Sequence, residues 1–257
     1  MIQIDKPKEP ENSKIYKSGK ERKGKTYQKV ATENIIKDFE EGKEIETKIK
    51  ETEHIYQHFK AELLEIQHNK CCYCESRLLE KSSHQKAGDV EHFRPKNGYK
   101  QDILAKEVSK SSYFWLAYDW DNLLFSCEVC NNKPYKENKF PLIDDSKRAK
   151  SHRNNLNLEE PYLINPAKED PEQHFTFRKE FIFPKSVRAS ISIKILGLDR
   201  KGLNITRLEH LKTVETLAEF LDKVPENLKK EIEENIKEHK KSSAKFAGMI
   251  RANFPKI

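Results

Sequence analysis

Two cysteine pairs constrain this chain more than anything else in it. Cys71-Cys72-Tyr73-Cys74 and Cys127-Glu128-Val129-Cys130 each place two residues between a pair of thiols. That spacing lets both thiolates of a pair turn toward one ion in a tight knuckle, and two knuckles complete a closed tetrahedral all-thiolate site. A redox pair would want a helix start in a thioredoxin-like βαβ setting, which surrounds neither pair. Five cysteines in 257 residues are not a secreted disulfide framework either. Cys71, Cys74, Cys127 and Cys130 are therefore expected to hold a structural Zn2+, with Cys72 a small buried residue or a bystander. A closed four-cysteine site leaves no position open to water. It pins together segments distant in sequence, and the chemistry must lie between and beside the knuckles.

The rest of the chain is heavily ionic. Charged and hydrophobic residues each make up 35%, and the net charge is +7. This mildly favours an anionic partner such as nucleic acid, although a lysine-rich proteome would give the same balance. No apolar run approaches the roughly 18–20 residues needed to span a bilayer. Residues 1–29 are polar and basic with no apolar core of a signal peptide, so a cytoplasmic location and no membrane partner are expected. Gly19-Lys20-Glu21-Arg22-Lys23-Gly24-Lys25-Thr26 matches the phosphate-loop pattern GxxxxGKT. That loop needs a buried strand before it and a helix at its end, and residues 12–18 are no buried strand. The match is read as accidental, within a basic arm over residues 1–30.

Residues 33–68 carry a helical period in Ile45, Ile49, Tyr56, Phe59, Leu63 and Ile66, with Gly42 a candidate break. His54 and His58 lie one turn apart there and are taken as surface residues. Residues 174–184 read as a hairpin with Phe175 and Phe177 on one arm and Phe181 and Phe183 on the other. Residues 186–222 turn helical. A last helix begins at Pro225 with a thin stripe of Leu228, Ile232 and Ile236, as in a helix that docks on another. Three segments follow: 1–69, a basic arm and helical segment; 70–145, where the cysteines and the dense His, Asn and acidic residues lie; and 146–257, a hairpin and helical region expected to bind a partner.

Asp89-Val90-Glu91-His92-Phe93-Arg94-Pro95 follows the first knuckle, Asn122-Leu123 precedes the second, and Asn131 directly follows Cys130. A neutral imidazole suits a general base near pH 7, and carboxylate or amide oxygens suit Mg2+ or Mn2+. Each residue also has a plainer use: His92 in a core, Asp89 or Asn122 in a turn. Arg94, Lys96, Lys133 and Lys136 are candidate phosphate contacts or ordinary surface charges. Tyr113, Phe114, Trp115, Tyr118 and Trp120 are expected to pack a small core rather than to stack on bases.

In this order the motifs resemble the HNH (ββα-metal) nuclease family in its zinc-braced form. The resemblance implies an α+β fold: a zinc-braced ββα-metal module with mostly α-helical extensions at both ends. It makes His92 the general base and Glu91 a ligand of catalytic Mg2+ or Mn2+, with Asp89 assisting. Asn131 becomes the second ligand, and Asn122 the residue that braces the hairpin loop and orients the base. Lys70 to Glu75, Tyr113 to Leu116, Phe140-Pro141-Leu142, Leu163 to Pro166 and the stretch from Ile195 to Arg207 extend the likeness to one subfamily. It is the HNH nuclease subunit of Septu-type antiphage systems, found also beside retrons. That subfamily implies an ABC-type ATPase partner of the SMC/RecN-like kind and a role in defence against phage. Its substrate is nucleic acid, with DNA favoured and an RNA- or tRNA-directed nuclease the alternative. From a different class, a non-catalytic zinc-braced nucleic-acid-binding module is the competing expectation, though such a module needs neither a base nor ligands for a second metal.

Overall fold

The computed structural model describes residues 1–9, 27–78, 88–109, 113–221 and 223–257. The GxxxxGKT match at 19–26 lies outside the described residues. Helix α1 (Tyr27–Glu40) ends in a turn where Gly42 takes φ +74°, the left-handed region that favours glycine. Three short helices follow: α2 (Ile45–Glu51), α3 (His54–Gln57) and α4 (Lys60–Ile66). The Glu44 carboxylate caps α2 by accepting from the Glu46 and Thr47 N–H groups at 2.7 and 2.8 Å. Ile49, Tyr56, Phe59 and Leu63 from the periodic face are buried, and Ile45 and Ile66 pack at its margin. His54 and His58 point outward.

Strand β1 (Asp89–His92) pairs antiparallel with β2 (Leu123–Ser126), with Val90 opposite Phe125 and His92 opposite Leu123. Gly88 enters β1 at φ +121°, where an added Cβ would strike the Ser126 carbonyl. The excursion between the strands carries Tyr113, Phe114, Trp115, Tyr118 and Trp120, all buried. After β2 comes α5 (Glu128–Asn131), a single turn capped by Cys127, whose Sγ accepts from the Cys130 N–H at 3.4 Å. The local order is therefore strand, strand, one-turn helix.

Strands β3 (Phe175–Arg178) and β4 (Phe181–Pro184) form a second antiparallel pair. Phe175, Phe177 and Ile182 face inward, so strand alternation turns Phe181 and Phe183 out. Helices α6 (Val187–Leu196), α7 (Lys201–Phe220), α8 (Glu226–Lys240) and α9 (Ala247–Asn253) complete the chain. Pro225 caps α8 rather than opening it. Of the stripe expected to dock a partner, Leu228 is exposed, Ile232 is partly buried, and Ile236 is fully buried in the chain's own core. Ile236 is thus not available for docking, because α8 packs that face on α7 and α9.

The expectation of a solvated arm over residues 1–30 is corrected for its first nine residues. Met1, Ile2 and Ile4 are buried, and the Ile4 N–H donates to the Pro166 carbonyl at 2.8 Å. Lys6 donates to the carbonyls of Trp120 and Leu123, and Trp120 Nε1 donates to the Pro7 carbonyl at 2.9 Å. Every one of these partners is over a hundred residues away, so nothing local in the sequence announces the packing. One continuous core takes side chains from all three expected segments. Among the described residues no helix is long and apolar enough to cross a membrane.

Candidate functional site

The four cysteines of the two knuckles converge. The sulfurs of Cys71, Cys74, Cys127 and Cys130 all lie within 4.8 Å of one another, and none is in a disulfide. Cys74 Sγ and Cys127 Sγ are 3.8 Å apart, which is the edge of a tetrahedron with metal–sulfur bonds of about 2.3 Å. The cluster could therefore hold a metal ion such as zinc. Arg200 Nη1 approaches Cys130 Sγ at 3.5 Å and donates to the Gly197 carbonyl at 2.8 Å, placing a guanidinium against thiolates that would carry excess negative charge. Cys72 is buried beside the cluster, and its N–H donates to the Phe125 carbonyl, tying the first knuckle to β2.

Alongside lies a cavity of about 250 Å³ lined by Tyr56, Asp89, Glu91, His92, Lys96, Asn97 and Asn131, among others. His92 ends β1 and is buried. Its Nε2 lies 2.9 Å from the Ala117 carbonyl oxygen. An oxygen acceptor there requires Nε2 to carry the proton, leaving the lone pair on Nδ1. Nδ1 faces the Lys96 ammonium at 3.3 Å, and the Tyr56 ring meets the imidazole edge-on with centroids 4.7 Å apart. Burial pushes the His92 pKa well below its ordinary value, and Lys96 and Lys136 push the same way. His92 is therefore a neutral imidazole at pH 7. Burial also lowers the pKa of Lys96, opposed by Glu91 and Asp89.

Glu91 is buried on β1. It pairs with Lys136 and accepts from Tyr73 Oη at 3.0 Å, both through Oε1. Burial raises its pKa, and the Lys136 and Tyr73 contacts oppose the rise. Asp89 is exposed at the strand start, where Gln57 Nε2 donates to Oδ1 at 2.8 Å. Asn131 closes α5 on the cavity wall. Asn122 stands behind the cavity. Its Oδ1 accepts from the Arg94 N–H at 2.8 Å, and its Nδ2 donates to the carbonyls of Arg94 and Leu116 at 3.0 and 3.2 Å. It thus fastens the chain just beyond His92 to the aromatic excursion that supplies Ala117.

Among the described residues, the four cysteines are the one group of three or more Cys, His, Asp or Glu whose ligand atoms converge. A second metal in the cavity would need amide oxygens as well. Asp89, Glu91 and Asn131 supply the hard donors that Mg2+ or Mn2+ prefer. Asn97 Oδ1 is buried without a hydrogen-bond partner, an unsatisfied oxygen on the same wall that a cation or its bound water would satisfy. The donor set fits such an ion.

The basic residues expected to contact phosphate divide. Lys96 lines the cavity and Lys133 is exposed, with Glu137 at 3.4 Å. Arg94 is mostly covered and pairs with Glu159 at 2.8 Å. Lys136 is corrected: it is 1% exposed, paired with Glu91 and donating to the His92 carbonyl at 2.8 Å. It cannot reach a phosphate backbone from there. Sequence reasoning missed Tyr56, Gln57, Tyr73 and Asn97 as parts of the site. Tyr73 alone carried a signal, since an aromatic inside a buried knuckle needs somewhere for its hydroxyl to go.

No family model matches the chain. It is 36% identical over 149 residues to Septu protein PtuB of Bacillus mycoides (strain KBAB4), covering 57% of this chain and 48% of that protein. It is 30% identical over 167 residues to Septu protein PtuB of Bacillus thuringiensis, covering 64% and 51% respectively. Septu protein PtuA of Bacillus mycoides (strain KBAB4) shares 31% identity over 132 residues, 51% of this chain and 18% of that protein. The matches thus span about half the length of the PtuB proteins and a smaller part of PtuA.

Proposed function

We propose that this relative of Septu proteins is a metal-dependent endonuclease of the HNH (ββα-metal) type, the effector of an antiphage system. The observation that carries this reading is the 2.9 Å contact between His92 Nε2 and the Ala117 carbonyl oxygen. With Nε2 committed to the Ala117 carbonyl, Nδ1 is the basic nitrogen, in the wall of a cavity lined by hard oxygen donors. Strand β1, strand β2 and the single turn of α5 would form the ββα core, with the four-cysteine centre holding structural Zn2+.

Mechanism follows from these positions. A substrate phosphodiester enters the cavity, and the Lys96 ammonium, now beside Nδ1, turns to its anionic oxygens. Water takes the vacated position and gives its proton to His92 Nδ1 as its oxygen bonds to phosphorus. The bond from phosphorus to the leaving sugar oxygen breaks, and that oxygen is protonated from solvent. Burial keeps His92 neutral, the departure of Lys96 toward the phosphate removes a cation that disfavours the imidazolium, and Asn122 keeps the ring aimed. Glu91, Asp89 and Asn131 would hold Mg2+ or Mn2+, which when bound offsets charge on the phosphate and the leaving oxygen. DNA is the favoured substrate, with RNA served equally by one base and one ion. An ABC-type ATPase of the SMC/RecN-like kind is the proposed partner.

A plaque assay in cells carrying this gene with its neighbours tests the reading. Wild-type chain should protect and His92→Ala should not, at equal protein level. Protection by His92→Ala equal to wild type would overturn it and favour a non-catalytic zinc-braced binding module.

A further inference from the structure

We propose that Tyr73 and Lys136 are positioning residues that orient the Glu91 carboxylate for the divalent ion, so that the two cysteine knuckles aim the metal ligand directly. This rests on the nuclease reading above. Glu91 is held from two sides, and each side begins at a knuckle. Tyr73 lies between Cys72 and Cys74, is 0% exposed, and sends its hydroxyl to Glu91 Oε1. Lys136 donates its backbone N–H to the Cys130 carbonyl at 3.2 Å and its ammonium to Glu91 Oε1. A lysine is almost never fully buried unless paired, and a buried tyrosine hydroxyl seeks a partner. Here both find the same atom.

Both contacts fall on Oε1, so neither occupies Oε2. Carboxylates that ligate metals are themselves hydrogen-bonded by outer residues, which fix their direction. The ammonium of Lys136 also donates to the His92 carbonyl. One buried cation thereby joins the proposed ligand to the backbone of the proposed base. The Cys72 N–H to Phe125 carbonyl bond, at 3.0 Å, fastens the Tyr73 side to β2 opposite Val90. The knuckles hence reach the carboxylate through short contacts, the Tyr73 hydroxyl on one side and, on the other, Lys136 with its backbone N–H on the Cys130 carbonyl.

The test is Mn2+ titration of the purified zinc-loaded chain by electron paramagnetic resonance, with zinc content and melting temperature recorded for each variant. Tyr73→Phe keeps the ring that fills the buried space and removes only the hydroxyl. It should retain zinc and weaken Mn2+ binding by about 10–100-fold, the usual effect of losing an outer-shell partner. Unchanged Mn2+ affinity in Tyr73→Phe, where Glu91→Gln loses the site, would overturn the inference alone. A wild-type chain without any Mn2+ site that Glu91→Gln removes would overturn the nuclease reading and the inference with it. A second measurement needs no deletion: fluorotyrosine placed at position 73, followed by fluorine NMR during Mg2+ titration. Its resonance should shift with saturation in wild type and stay fixed in Glu91→Gln. A resonance indifferent to Mg2+ in wild type would also overturn the inference.

Discussion

At the scale of single residues, the site separates charge by burial. His92 stays neutral because its imidazole is buried among cations, while burial raises the Glu91 pKa and the Lys136 and Tyr73 contacts oppose the rise. Asn131 plays a different part, offering the proposed ion an amide oxygen rather than a proton site. Asn131→Ala should therefore weaken Mn2+ binding while leaving zinc content unchanged, and excess Mn2+ should restore part of any activity. Zinc loss in that variant would show that Asn131 serves the fold instead. The residue types of the proposed site were readable in sequence, because the order of motifs around the knuckles resembles the HNH nuclease family and that resemblance points to Glu91, His92 and Asn131. Their partners were not. Ala117 contributes a backbone carbonyl, which no side-chain letter reveals. Lys136 reads as one more surface lysine in a lysine-rich chain, and only the fold shows it buried.

Elements set how these residues meet. The helical period over 33–68 is realised as four helices because it is interrupted at Gly42 and the Glu44 cap, at Thr52 after α2, and at His58 and Phe59 between α3 and α4. The hairpin at 174–184 was legible, but which phenylalanines face inward depended on register with Ile182. The pairing of α7 with α8 brings His210 and His239 together with ring centroids 5.0 Å apart, which no period foretold. Burial lowers the His210 pKa to about 4, with Lys245 and His239 adding to the shift against a backbone bond at Lys245. Burial and Lys245 lower His239 too, against Glu238. The unfolded chain binds protons from its ordinary imidazole value near 6.5, which the folded pair refuses. Stability should thus fall as pH drops from about 6.5 toward 4. Urea denaturation of His210→Gln should show a shallower fall over that interval. An identical pH slope in the variant and wild type would remove His210 from the explanation.

Across the whole molecule, the four-cysteine centre joins what sequence keeps apart. Cys71 and Cys74 follow the helical segment, Cys127 and Cys130 follow β2, and Arg200 brings the start of α7 to the same sulfurs. Cys127→Ser should lower zinc content and melting temperature together, since binding energy at such a centre is folding energy. A zinc-free variant that melts like wild type would contradict this. The central claim is hydrolysis at the neighbouring cavity. Its most direct measurement is strand cleavage of labelled DNA and RNA by purified chain, run with and without the proteins encoded beside it. Mg2+ or Mn2+ should support cleavage and EDTA should stop it. His92→Ala should lose at least about 10²–10⁴-fold in rate, the usual worth of a general base, with zinc retained. Cleavage by His92→Ala at the wild-type rate, or wild-type protein inert on both nucleic acids with its partners present, would contradict the account.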